Sequence, residues 1–263
     1  MRILAAGAYN QHYRDICLEY NCGKLFSALT ERKHILEWPS DRFLMVDSGA
    51  YSWNIQTLGQ GSAYQTRKKL PDVKEYCADY VKFYEENKDS NFVFVELDTY
   101  GVLDYDYLTG VYNEVKQMNG KAQFMRCYHL ILDDGDLSVL KKWIDEGQDY
   151  IGLALDSEPY LQKIFDLTRE KIRFHGFAMT KDSWIIKYPF YSCDSTTVLS
   201  AVKFGSILRY RLWQLGKDKM IKDKILFSAY SDADRISRGV QSMKESEIFY
   251  TKLWKQRGVL WND

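Results

Sequence analysis

Phe92-Val93-Phe94-Val95-Glu96-Leu97, followed at once by Asp98-Thr99-Tyr100-Gly101, decides how the rest of the chain is read. A short, almost wholly apolar run has the character of a strand buried on both faces, as in a parallel sheet. The same layout recurs at Ile3–Ala6, Phe43–Val46, Ala122–Cys127, Tyr150–Leu155, Ile172–Ala178 and Phe190–Cys193. A further candidate lies in Ile207–Leu212 or Ile225–Ser228. Amphipathic stretches stand between them, at Val73–Glu86, Tyr107–Met118, Leu137–Glu146 and Pro159–Thr168. Strands alternating with helices predict an α/β fold. Seven or eight such units in 263 residues favour a closed TIM-type (β/α)8 barrel, with a doubly wound open sheet as the alternative. No linker or internal repeat divides the chain, so residues 1–263 are expected to form one domain. The stretch from Val46 to Phe92 is longer than one helix needs, which predicts an inserted loop over the site.

Composition narrows the function classes. Thirty-six basic and 36 acidic residues leave no formal net charge. That argues against a protein that coats nucleic acid by bulk electrostatics, while leaving room for a local basic groove. Basic residues do collect in a C-terminal segment of about 200–258, with Lys203, Arg209 and Arg211 as candidate phosphate contacts. That segment reads either as a solvated helical surface or as a phosphate-binding face. The five cysteines form no CxxC pair and no zinc-spaced cluster, so no metal site is expected. Their scatter suits a reducing cytoplasm. No stretch is long enough to span a membrane, and the first residues lack a signal-peptide layout.

The strand ends carry the chemistry. Asp47-Ser48-Gly49-Ala50-Tyr51, Asp98-Thr99-Tyr100 and Asp194-Ser195-Thr196 each follow an apolar run. In a barrel, all three aspartates fall on the C-terminal face, where barrel active sites lie. Each could instead cap the helix that follows it. Clustered carboxylates suit glycosyl transfer, in which one attacks the anomeric carbon and another manages the leaving group's proton. Gly152-Leu153-Ala154 and His175-Gly176-Phe177-Ala178 also end apolar runs, and glycine there lets backbone groups approach a planar ligand. His129 follows a strand and is either a ligand hydrogen-bonder or a structural histidine.

In order along the chain, these segments resemble the tRNA-guanine transglycosylase superfamily. Asp47-Ser48-Gly49-Ala50-Tyr51 is similar to its D-S-G-G-[FY] motif, and Glu96-Leu97-Asp98 to its base-binding aspartate. Ile151-Gly152-Leu153-Ala154 resembles its G-G-L-A segment, and His175-Gly176-Phe177-Ala178 its M-G-V-G segment. Cys193-Asp194-Ser195-Thr196 stands where the family has its nucleophile. The resemblance covers roughly residues 43 to 210. It implies Asp194 as nucleophile and Asp47 as the group serving base recognition and proton transfer. Asp98 would read the purine N–H edge, within a base pocket that includes Ser48 and Gly49. Gly152 and Leu153 would supply backbone contacts, with Gly176 beside them. Tyr51 would stack on one face of the base and His175 would stand at the other. His129 would replace a family glutamine.

The zinc-binding C-x-C-x-x-C…H pattern of the tRNA enzymes has no counterpart in this sequence. Ser192-Cys193-Asp194-Ser195-Thr196-Thr197, with Lys203-Phe204-Gly205 after it, looks more like the DpdA-type DNA-guanine transglycosylases of phages and bacterial genomic islands. The expectation is therefore exchange of guanine in DNA for a 7-deazaguanine derivative such as 7-cyano-7-deazaguanine, by double displacement, without cofactor. It would take place in the cytoplasm, or in the host cytoplasm for a phage-encoded protein. A homodimer is compatible with the family. The alternatives are the same chemistry on tRNA, a nucleosidase, and a non-catalytic nucleic-acid-binding subunit.

Overall fold

Eight parallel strands close into a barrel in the computed structural model, ordered β1 to β8 around the ring. They are β1 (Arg2–Ala6), β2 (Lys24–Ser27), β3 (Leu44–Asp47), β4 (Val93–Val95), β5 (Gln123–Tyr128), β6 (Tyr150–Leu153), β7 (Arg173–Gly176) and β8 (Ser192–Ser195). The helices are α1 (Gln11–Glu19), α2 (Arg32–Leu36), α3 (Val73–Asn87), α4 (Tyr105–Gln117), α5 (Ser138–Asp145), α6 (Glu158–Thr168), α7 (Asp182–Ile185) and α8 (Asp232–Gln256). The structure describes residues 1–7, 10–53, 70–155, 157–168, 171–199, 207–209, 221–223 and 231–261. The TIM-type barrel expected from the sequence is what forms. By packing, the chain comprises two units, Met1–Leu25 with Gly147–Asp263, and Phe26–Glu146.

Within Phe26–Glu146, strand periodicity sends alternate residues to opposite sides. Phe94 meets Tyr80, Phe83 and Tyr84 of α3, with ring centroids 5.1–6.3 Å apart. Asp72 starts α3 by accepting from the amides of Lys74 and Glu75, and Asp104 starts α4 by accepting from Tyr107. These caps satisfy amides that a helix start leaves without partners. Tyr80 donates its buried hydroxyl to the Val95 carbonyl at 2.7 Å, fixing the end of β4 against the helix.

In the other unit, β1 pairs with β8 in the register Leu4↔Asp194. Helix α8 opens with a capping box between Ser231 and Asp234. Its buried stripe of Ile236, Val240, Met243, Tyr250 and Trp254 keeps helical spacing. Several basic residues of this segment make structural contacts: Arg235 pairs with Asp232, Lys244 with Glu247 and the Asn21 carbonyl, and Arg257 with the Ile186 carbonyl. No described helix is long and apolar enough to cross a membrane.

Element ends shift by a few residues throughout, and three differences from the sequence reading matter most. The eighth barrel strand is Lys24–Ser27, not a run after residue 200. Its leading lysine hides the pattern, yet Lys24 is fully buried, donating to the Gly7 carbonyl at 2.6 Å with Nζ 4.0 Å from the Tyr13 ring centre. Ile207–Arg209 instead pairs antiparallel with Ile221–Asp223 in a separate two-stranded sheet, here β9 and β10. Ile225–Ser228 lies outside the described residues, as do residues 54–69 of the expected inserted loop. Finally, β8 covers Ser192–Ser195, so Asp194 is a strand residue rather than one that follows a strand.

Candidate active site

The Phe26–Glu146 unit carries Asp47 as the last residue of β3. The chain then turns through buried Ser48, whose carbonyl accepts from Tyr76 at 2.7 Å, and through Gly49 at φ +83°. A Cβ at Gly49 would stand 2.7 Å from the Leu29 Cβ, so the glycine is fixed by backbone shape and space alike. Tyr51 follows with 71% of its surface exposed, a ring in the open rather than in the core.

Asp98 lies just past β4, where the Thr99 amide donates to the Leu97 carbonyl and bends the chain. Its Oδ2 is 2.5 Å from Nε2 of His129, which stands one residue past β5. Burial works against a charged His129, but the hydrogen bond and charge of Asp98 outweigh it, so the imidazole pKa is raised. The Tyr100 ring meets His129 edge-on at 5.5 Å. Behind this pair, buried Glu96 accepts from Tyr100 and the Cys127 amide, each at 2.7 Å, and faces Arg126 at 3.3 Å. Arg126 lies 3.9 Å from the Trp143 ring centre. The Cys127 thiol is pushed well above its ordinary range by burial first, then by the charges of Asp98, Glu96 and Asp47. Both aspartates thus act on one neighbourhood.

Asp98, Cys127 and His129 offer ligand atoms within 4.8 Å of one another, a chemically suitable set for zinc. Two zinc ligands of this size stand about 3.3 Å apart in a tetrahedron, from bond lengths near 2 Å. The 2.5 Å between Asp98 and His129 is that of a hydrogen-bonded pair, and an ion would have to spread it.

In the unit holding β6 to β8, Asp194 is mostly buried, with Oδ1 accepting from the Ala178 amide at 2.8 Å. Ala178 adopts φ +54°, which costs a non-glycine residue roughly 1–2 kcal/mol. Asp194 does not cap the turn after β8; the Ser195 hydroxyl accepts from the Thr197 amide instead. His175 has no exposed surface. Its Nδ1 is 2.7 Å from the Ser192 hydroxyl, and Nε2 is 3.4 Å from Asp194 Oδ1. Ser192 is also 2.6 Å from the Tyr150 hydroxyl. His175 is thus a core residue beside the carboxylate. Gly152 and Leu153 are buried in β6. Gly176 has no room for a side chain, since a Cβ would be 2.8 Å from that of Met179.

Lys203 and Arg211 lie outside the described residues, and for Arg209 only the backbone of β9 is described. Sequence reasoning passed over Glu96, Arg126, Tyr150 and Ser192. Glu96 was visible as a carboxylate inside an apolar run, and Ser192 as a polar residue two positions before Asp194 on the same side of a strand. Set against known proteins, the chain matches no family model and no curated protein sequence.

Proposed function

We propose that this chain is a guanine transglycosylase that exchanges guanine in DNA for a 7-deazaguanine base. The observation that carries the reading is the hydrogen bond from the Ala178 amide to Asp194 Oδ1. It ties the His175-Gly176-Phe177-Ala178 segment to the carboxylate of Cys193-Asp194-Ser195. Those are two of the segments on which the resemblance rests. An aspartate held by a backbone donor inside a barrel strand is oriented to attack rather than to cap.

In the first half-reaction a target deoxyguanosine is flipped from the stack, at a cost of a few kcal/mol. A carboxylate oxygen of Asp194 attacks C1′. The C1′–N9 bond breaks, its electron pair goes to N9, and Asp47 delivers the proton. In the second half the incoming base gives its N9 proton to Asp47. N9 then attacks C1′ and displaces the aspartyl oxygen, with retention at the sugar. Asp98, paired with His129, reads the N–H edge of the purine. Tyr51 lies on the base, and basic residues such as Lys203, Arg209 and Arg211 meet phosphates. DNA is favoured over tRNA by the likeness of Ser192 to Thr197 to the DNA enzymes.

The test is incorporation of labelled guanine or 7-cyano-7-deazaguanine into DNA, with nucleoside mass spectrometry. Wild type should incorporate, and Asp194→Asn and Asp194→Ala should not. Undiminished incorporation by either variant would sink the nucleophile assignment. Incorporation into tRNA but not DNA would move the substrate. Hydrolysis of free nucleosides without an incoming base would make the chain a nucleosidase.

A further inference from the structure

We infer that the buried chain Tyr150–Ser192–His175 presents an N–H to Asp194, so that Oδ1 faces two N–H groups and Oδ2 is the oxygen that attacks. The inference rests on Asp194 being the nucleophile. Three contacts define the chain: Tyr150 hydroxyl to Ser192 hydroxyl, 2.6 Å; Ser192 hydroxyl to His175 Nδ1, 2.7 Å; His175 Nε2 to Asp194 Oδ1, 3.4 Å. All four side chains belong to β6, β7 and β8. None but Asp194 is at the edge of solvent, since Tyr150, His175 and Ser192 are buried.

Ser192 has one hydroxyl proton and two lone pairs, and two arrangements place opposite groups of the neutral ring on Asp194. In one, Tyr150 donates to Ser192 and Ser192 donates to Nδ1. The ring proton is then on Nε2 and points at Asp194. In the other, Nδ1 donates to Ser192, Ser192 donates to Tyr150, and Nε2 turns a lone pair on the carboxylate. Two acceptors facing each other in a dry interior are costly, so the charge of Asp194 selects the first. His175 Nε2 makes no proper hydrogen bond at 3.4 Å, although no solvent reaches it. A buried donor left short of a carboxylate is a place where interaction can strengthen during reaction.

That place matters most in the second half-reaction. The Oδ2–C1′ bond breaks and its electron pair returns to the carboxylate, which shares it with Oδ1. There the Ala178 N–H and the His175 N–H receive the charge. Nothing in this step transfers a proton, and His175 touches no substrate, so it is a positioning residue.

Two measurements test this. Nitrogen-15 NMR of histidine-labelled protein should find His175 with Nε2 protonated and Nδ1 bare, and Tyr150→Phe and Ser192→Ala should each loosen that preference. In base exchange, His175→Leu should lower kcat about a hundredfold with KM nearly unchanged, as for loss of one oxyanion donor. His175→Gln, which keeps a donor, should recover most of it. Ser192→Ala, nearly isosteric, covers the case in which His175→Leu does not fold, and should lower kcat in the same sense. An Nδ1–H tautomer in wild type overturns the inference, as does an equal loss for His175→Gln and His175→Leu. Full activity in Asp194→Asn would instead refute the nucleophile reading, while the tautomer measurement reports on the buried chain separately.

Discussion

Arg126→Met is the perturbation whose cost follows most directly from the structure. Arg126 and Glu96 leave only 2% and 4% of their side chains exposed, and lie 3.3 Å apart. Methionine keeps the volume of the arginine stem but not the guanidinium that lies over the Trp143 and Tyr112 rings. What is lost is the countercharge, and breaking one side of a buried pair costs about 3–5 kcal/mol. At about 2 °C per kcal/mol for a chain of this size, Tm should fall by about 6–10 °C. The loss should depend on pH. Burial already raises the Glu96 pKa, against the opposing pull of Arg126, Tyr100 and the Cys127 amide. Without Arg126 it rises further, so the folded protein holds a proton that the unfolded chain releases. Stability then falls as pH rises from the ordinary carboxylate range through the raised folded value. Urea unfolding followed by tryptophan fluorescence should show a larger deficit at pH 8 than at pH 5. Glu96→Gln combined with Arg126→Met should recover part of it. A cost below about 1 kcal/mol at pH 8, or the same cost at both pH values, would refute the reasoning.

Other residues give equally direct outcomes. In Asp98→Asn, burial acts on His129 without its partner, so the imidazole pKa should drop below the ordinary histidine range, read by NMR titration of the ring. Stability that the ion pair supplies at low pH, and that wild type loses as pH rises through the raised pKa of His129, should be missing from that variant. Ala178→Gly relieves φ +54° but adds freedom to the unfolded chain, so stability should stay within about 1 kcal/mol and exchange should persist. Chelator treatment and Cys127→Ser should both leave exchange intact if Asp98 and His129 work as a hydrogen-bonded pair; loss in both, restored by added zinc, would show a metal centre instead.

The barrel was legible because parallel strands buried on both faces must be apolar for several residues, and such runs stand out. Phe92–Leu97 shows this, with Phe94 fixed by three aromatic rings of α3. Lys24–Ser27 was not legible, because whether a lysine can enter a strand depends on a distant carbonyl and ring, here Gly7 and Tyr13. The bounds of β8 slipped for a related reason. Phe190 and Tyr191 look like strand residues, but the register with β1 begins at Arg2↔Ser192, so pairing and not apolarity sets the start.

For the site, a motif names residues but not their neighbours. Asp47, Asp98 and Asp194 were singled out as carboxylates after strands, and read alone each was equally a helix cap. What separates the readings is the partner on the other side of the bond. Asp98 is taken by His129, and Asp194 by the Ala178 amide. His175 was assigned to the base by its position in a motif, and strand alternation says which neighbours it meets. Phe174 meets Phe165 of α6 edge-on, so its neighbour His175 faces the barrel interior, on the same side as Ser192 and Asp194 of the adjacent strand. A polar residue on that side must find a polar partner there, and Ser192, two positions before Asp194, is the one within reach. Applied to Cys127, the same logic gives a thiol that burial and three nearby carboxylates keep protonated. That makes it a poor nucleophile, and Asp194, whose Oδ1 accepts from the Ala178 amide, is the group proposed to attack.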